Sequence, residues 1–477
     1  MTDIQFYGLL PFILLAAASI IVILLIAFKQ SHTVIQVTGF LMMCLVIFAM
    51  WYARDKLPVA VDPLFIVDGY AALFTGLIVF SVLIVGLLSY IYFEEREENP
   101  KEYYILLFLS TLGAAILTIS RHFISFFIGL EILSVSLYAL IAYLRTRNNA
   151  IEAGVKYLIL AAISSGFLLF GMALIYMESG SMDFMVIAQK SGQWSTLFST
   201  GVGLMIVAIG FKLAIVPFHF WAADVYQGAP APVTSFIATV SKIGVFAVLM
   251  RFAQPFNVHA NSIALYIFSG IAIASMIAGN VLALQQKNIK RLLAYSSISH
   301  FGYLLVAFLP GDRPGVEAAV FYLLAYSLTI LAAFGVITLL SNRSKDAEDL
   351  DLYKGLFWRN PVLAVILTIS MLSLAGIPLT AGFIGKFMVL TSGVHVHLWT
   401  PVIVLVLTSV MGIYYYLRII STLFAESPVV DPGEKSISPF FYMATFSTLV
   451  VLILLLVYIG VFPSTVIENI RQFLTIG

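Results

Sequence analysis

Glu131, Lys212, Lys242 and Lys386 are ionisable side chains set inside runs otherwise apolar enough to lie in a bilayer. A charge placed there costs about 2.5–3.5 kcal/mol on insertion scales, so such groups face a bundle interior or water, where they move ions or form structural ion pairs. Desolvation loosens a lysine's hold on its proton and tightens a glutamate's, while pairing opposes both effects. A lysine held between these influences exchanges its proton near neutral pH, which is the chemistry of a proton relay. Lys156 and Arg418 sit near the ends of apolar runs; each snorkels to the headgroups or joins the same chemistry. His219, two residues after Pro217, reads as a hydrogen-bonded histidine beside a helix break. His300, in "YSSISHFGYLL", keeps company with Ser296, Ser297, Ser299 and Tyr303, hydroxyls that hold a water chain or stitch helices together.

The surroundings of these residues are those of an integral membrane protein. Of the 477 residues 61% are hydrophobic and only 10% charged, and the mean hydropathy is +1.04, far from the averages of a soluble domain. Cys44 is the single cysteine, which excludes disulfides, cysteine-ligated zinc and iron–sulfur clusters within the chain. No Gly-rich nucleotide loop of the GxGxxG or GxxxxGK kind occurs, so no cofactor or metal is expected here. A net charge of +1 gives no reason to expect nucleic acid. The expected partners are the lipid bilayer and protons.

Apolar runs of membrane-crossing length predict an all-α fold of about 14 transmembrane helices. They include 6–28, 155–177, 201–221, 231–253, 361–390 and 440–462. Loops after odd-numbered spans carry 13 lysines and arginines, Lys435 among them, against 7 after even-numbered ones. The odd loops are therefore expected in the cytoplasm and both termini on the periplasmic side. Two spans are interrupted: "GFKLAIVPFHFW" by Pro217, and "SLAGIPLTAGFIGKFMVL" by Gly376 and Pro378, ahead of Lys386. Interrupted spans at matching places in two halves of a chain point to an ion pathway. Taking helices 4–8 and 9–13 as units makes each broken span, 7 and 12, the fourth of its unit. Five helices is an odd number, so the two repeats are inverted relative to each other. The expected organisation is three N-terminal helices (1–102), a first five-helix repeat (103–253), a second (254–424), and a last helix with a tail (425–477). The expected pathway joins Glu131, Lys212, Lys242 and Lys386 through water.

The runs "GFKLAIVPFHFWAADVYQGAPAPVTSFIATVSKIGVF", "NIKRLLAYSSISHFGYLL" and "LAGIPLTAGFIGKF" resemble the antiporter-like membrane subunits of proton-pumping NADH:quinone oxidoreductase, respiratory complex I, most nearly the NuoN type, similar to mitochondrial subunit 2. The resemblance covers nearly the whole chain. It implies a proton-translocating subunit of a translocase in a bacterial inner membrane, with Glu131, Lys212, Lys242 and Lys386 as the relay and with Lys156 and His300 as further members. It implies that Glu131 pairs with Lys212. It also implies partners: a second antiporter-like subunit, small membrane subunits, and other subunits holding NADH, FMN, iron–sulfur clusters and quinone. A subunit of a multi-subunit sodium/proton antiporter shares this machinery, and a structural spacer whose charges only fix register stays open beside both.

Overall fold

The computed structural model describes residues 2–94, 96, 100–190, 194–256, 261–343, 345–426 and 439–475; Lys435 lies outside them. The chain opens with α1 (Asp3–Ala27) and α2 (His32–Ala53), a short hairpin of β1 (Val59–Val61) and β2 (Phe65–Val67), and α3 (Gly69–Glu94). There follow α4 (Lys101–Ile119), α5 (Phe123–Ile141), α6 (Asn148–Ser179), α7 (Phe184–Lys190) and α8 (Thr196–Leu213). The chain continues through α9 (Trp221–Gly228), α10 (Ala231–Phe236), α11 (Lys242–Ala253), α12 (Ser262–Leu284), α13 (Ile289–Phe308) and α14 (Arg313–Leu340). The remainder is α15 (Leu356–Arg359), α16 (Pro361–Ala375), α17 (Ala381–His395), α18 (Trp399–Phe424), α19 (Pro439–Val461) and α20 (Pro463–Leu474).

Among the described residues, 12 helical stretches are long and apolar enough to cross a membrane, and α16 is a shorter apolar one. The chain is thus an all-α membrane protein. At about 1.5 Å per residue, helices of this length match or exceed the span of a hydrocarbon core, roughly 30 Å. α13 is equally long but less apolar, because Lys290, Arg291, three serines and His300 interrupt it; it is instead buried along almost its whole length. The stretch 231–250, from α10 through most of α11, is wholly buried and α14 nearly so, whereas α1, α2, α6 and α18 turn large apolar side chains outward. The buried cations Lys242 and Lys290 thus lie on helices that other helices surround.

Both interruptions are built alike. α8 ends where Ala214 turns left-handed at φ 58°, and Pro217 follows. α16 ends where Gly376 does the same at φ 81°, and Pro378 follows. A third irregularity lies between α10 and α11, where residues Ile237–Ser241 form a π-turn directly ahead of Lys242. Such turns insert a residue into the helical ladder and recur at functional sites.

The segments that follow α3, α5, α12 and α14 meet where Arg96, Arg147 and Lys290 surround Asp346. At the opposite end of α3, Arg251 grips Asp68 at 2.8 Å, and Arg121 holds Asp62 and Asp183. Three features depart from the sequence reading. The sixth span begins at Asn148 rather than 155, so Lys156 lies two turns inside α6. The hairpin and α20 are additional: three-residue strands carry no readable alternation, and "PSTVIENIRQFL" is amphipathic rather than apolar.

Candidate functional site

Lys212 ends α8 just before the break and is only 3% exposed. Its ammonium donates to the Ser134 hydroxyl at 2.7 Å and lies 5.7 Å from the centre of the Tyr157 ring. The groups that the break frees are satisfied locally: the Val216 amide donates to Ser275 at 2.9 Å, and the Trp221 indole donates to the Phe211 carbonyl at 2.9 Å. A helix opened at membrane depth needs such partners.

Lys242, 1% exposed, opens α11 after the π-turn. It donates to Ser297 of α13 at 2.6 Å, and Ser297 also accepts from the Tyr326 hydroxyl at 2.9 Å. The Phe301 and Tyr226 rings stand 4.5 and 5.9 Å from its ammonium. Tyr226 and Tyr157 lie within electrostatic reach of each other, so two buried phenols occupy the interval between Lys242 and Lys212.

On the other side of Lys242, His300 uses both ring nitrogens. Nδ1 meets the Tyr322 hydroxyl at 2.5 Å and Nε2 the Tyr416 hydroxyl at 2.9 Å, and Tyr416 continues to Ser296 at 2.5 Å. His300 lies within electrostatic reach of both Lys386 and Lys242. A cavity of about 10 Å³ adjoins His300, Tyr322, Tyr326, Thr329 and Ser373, which is the space one water centre needs among polar partners. Lys386, 7% exposed, sits on α17 and donates to the Ala375 carbonyl at 3.0 Å, the end of α16. It therefore occupies the negative end of the first half-helix, where a cation is favoured. Tyr303 lies 5.2 Å from it.

Lys212, Lys242, His300 and Lys386 are thus a buried series of titratable groups, three of them with hydroxyl partners. Glu131 stands at its margin: it is part-buried, accepts from Ser165 at 2.5 Å, and lies within electrostatic reach of Lys212. Glu131 and Lys212 are held by hydroxyls rather than by each other, because Ser134, three residues after Glu131 on α5, reaches the ammonium. Lys156 lies away from the series. Its side chain is 45% exposed and pairs with Glu152 at 2.6 Å and Asp224 at 3.1 Å, beside a polar cavity of about 160 Å³. Arg418 donates to the carbonyls of Leu284 and Gln286, the use that a span-end cation makes of a helix terminus. His219 is buried and stacks on Phe220.

The sequence reading missed Ser134, Tyr157, Tyr226, Tyr322, Tyr326 and Tyr416. Tyrosine is ordinary in membrane spans, and nothing in its spacing separates a buried hydroxyl from one at the headgroups. The π-turn ahead of Lys242 likewise leaves no mark in "TSFIATVSKIG".

Residues 120–412 match the family described as NADH:quinone oxidoreductase/Mrp antiporter, transmembrane. Among solved structures, a chain of respiratory complex I from Thermus thermophilus with bound aureothin is 31% identical, covering 96% of this chain and 98% of that one with a TM-score of 0.82. A chain of the membrane-bound sulfane sulfur reductase, an archaeal respiratory membrane complex, is 26% identical over 98% of this chain and 96% of its own, with a TM-score of 0.85. A chain of the Mrp complex from Dietzia sp. DQ12-45-1b shares the fold, with 20% identity, coverage of 99% and 97%, and a TM-score of 0.85.

Proposed function

The chain belongs to the NADH:quinone oxidoreductase/Mrp antiporter transmembrane family, and from that premise we propose that it is a proton-translocating, NuoN-type subunit of a respiratory NADH:quinone oxidoreductase. The observation that carries the reading is Lys242: a wholly buried ammonium held by one serine, with Lys212 on one side and His300 and Lys386 on the other. A purely structural charge would be expected to have a carboxylate beside it. Lys242 instead has only hydroxyls and aromatic faces, which bind the charged form without locking it in place.

In this reading Glu131 biases Lys212. A displacement of Glu131, imposed from a neighbouring subunit, changes the proton affinity of Lys212 by a factor of about ten to a thousand. The proton then passes along Tyr157 and Tyr226 to Lys242, and by way of Ser297, Tyr326 and His300 to Lys386. Of fourteen spans, counting α13 and the α16/α17 pair, ten form the two inverted five-helix units, with the spans of the 1–102 and 425–477 segments outside them. The redox chemistry, with NADH, FMN, iron–sulfur clusters and quinone, belongs to partner subunits, and the setting is a bacterial inner membrane with both termini on the periplasmic side.

A second reading, a subunit of a sodium/proton antiporter, draws on the same family description. The higher identity to the complex I chain favours the first. Membrane vesicles carrying the assembled complex decide between them: NADH-driven proton uptake that is lost in Lys242→Ala supports the redox-driven relay. Ion exchange without any NADH dependence supports the antiporter. Unchanged uptake in the variant would leave the lysine with a spacer role.

A further inference from the structure

Asp346 lies in the loop after α14 and is 5% exposed. One of its oxygens accepts from Tyr92 at 2.6 Å and Arg147 at 3.1 Å, with Arg96 at 3.7 Å, and the other accepts from Lys290 at 2.9 Å. Segments from α3, the α5–α6 connection and α13 thus meet on one carboxylate.

Lys290 has a second attachment. Wholly buried, it donates to the carbonyls of Ala229 at 2.6 Å and Gln227 at 3.0 Å, the C-terminal end of α9. The last carbonyls of a helix lack partners within it and form the negative end of its dipole, so Lys290 acts as a cap for α9. The next residue, Arg291, holds Asp224 of the same short helix at 2.7 Å. From this grip two paths lead to the same place. α9 runs through Pro230, α10 and the π-turn to Lys242, and α13 runs on to Ser297, on which Lys242 rests.

We propose that Asp346 is a positioning residue for the relay: by holding Lys290 on the end of α9 it fixes the register between α9–α11 and α13, and so keeps Lys242 on Ser297. The inference rests on the relay reading above. A buried lysine that loses its carboxylate is an uncompensated charge; it withdraws toward water and takes the cap from α9. Conserving the negative charge with glutamate keeps the clamp, whereas the isosteric asparagine breaks it.

The test compares Asp346→Asn and Asp346→Glu in the intact complex in membranes. Hydrogen exchange is followed through residues 229–241, with residues 376–385 as internal reference, beside NADH-driven electron transfer and protons moved per electron. The expected result for Asp346→Asn is exchange at least about tenfold faster through 229–241, an unchanged reference segment and a severalfold loss of protons per electron. Asp346→Glu should restore both. Unchanged exchange in an assembled Asp346→Asn complex would overturn the clamp, and faster exchange with full proton yield would overturn its role in the relay. If Asp346→Asn does not assemble, Lys290→Gln, which removes the cap and leaves Asp346 with its arginines, is judged by the same outcomes. Wild-type vesicles that move no protons on NADH would overturn the relay reading, and exchange alone would then decide the clamp.

Discussion

Lys386 reaches back across the second break to the carbonyl of Ala375, 3.0 Å away, so the cation on one half-helix closes the end of the other. Lys212 stands on the opposite side of its own break, on the half-helix that precedes it. The two broken spans share a backbone design but carry their lysines in different halves.

Gly376 makes the Lys386 arrangement possible. It turns left-handed at φ 81°, and a methyl group placed on it would sit 2.8 Å from Cδ of Lys386. Gly376→Ala therefore costs about 1–2 kcal/mol of backbone strain and displaces the lysine as well. The expected outcome is an assembled complex with severalfold lower proton uptake and nearly normal electron transfer into artificial acceptors, measured on vesicles.

Ser134 is the hydroxyl acceptor of a buried ammonium, whereas Ser165 serves a part-buried carboxylate. Leaving a buried group without its partner costs about 1–3 kcal/mol, and water replaces a partner that is lost near the surface. Ser134→Ala should lower proton uptake about tenfold or more, and Ser165→Ala by clearly less. Equal effects of the two variants would count against the burial difference.

The spans were legible in the sequence because bilayer thickness fixes the length of an apolar run, and the lysines because a charge in such a run is conspicuous. Pro217 and Gly376 marked the breaks for the same reason: both disrupt a helix wherever they occur. Lys290 was misleading. By sequence it is one more loop cation in the topology count, yet it is wholly buried, because its partners Asp346 and Ala229 are brought to it by distant parts of the chain. Asp346 was hidden in the polar stretch "NRSKDAEDLD", where an acid reads as solvated. Local pattern reveals what lipid forbids, and tertiary contact decides which charge at a membrane edge is buried.

Lys156 offers a contrast to the buried lysines. Its pairing with Glu152 and Asp224 is exposed, and exposed pairs contribute little. Lys156→Gln is expected to retain most proton uptake, while Lys212→Gln loses most of it in the same vesicles. A loss in Lys156→Gln as large as that in Lys212→Gln would bring the outer pocket into the obligatory path.

Asp346 also gives a pH signature. Burial pushes its carboxyl up, but Lys290, the Tyr92 hydroxyl and Arg147 outweigh this and hold it down at about 2, against roughly 3.9 in an unfolded chain. Its folded value is depressed, so the stabilisation is complete above about pH 4 and is lost as pH falls toward about 2, on the order of 2 kcal/mol. Thermal unfolding of the solubilised complex should show that loss in the wild type, and Asp346→Asn should lack that component of the pH dependence.

The relay stands or falls with Lys242. In vesicles carrying the fully assembled complex with Lys242→Ala, NADH oxidation and proton uptake are measured together. Proton uptake is expected to collapse, either with electron transfer or without it. Full electron transfer with an unchanged proton yield would contradict the relay.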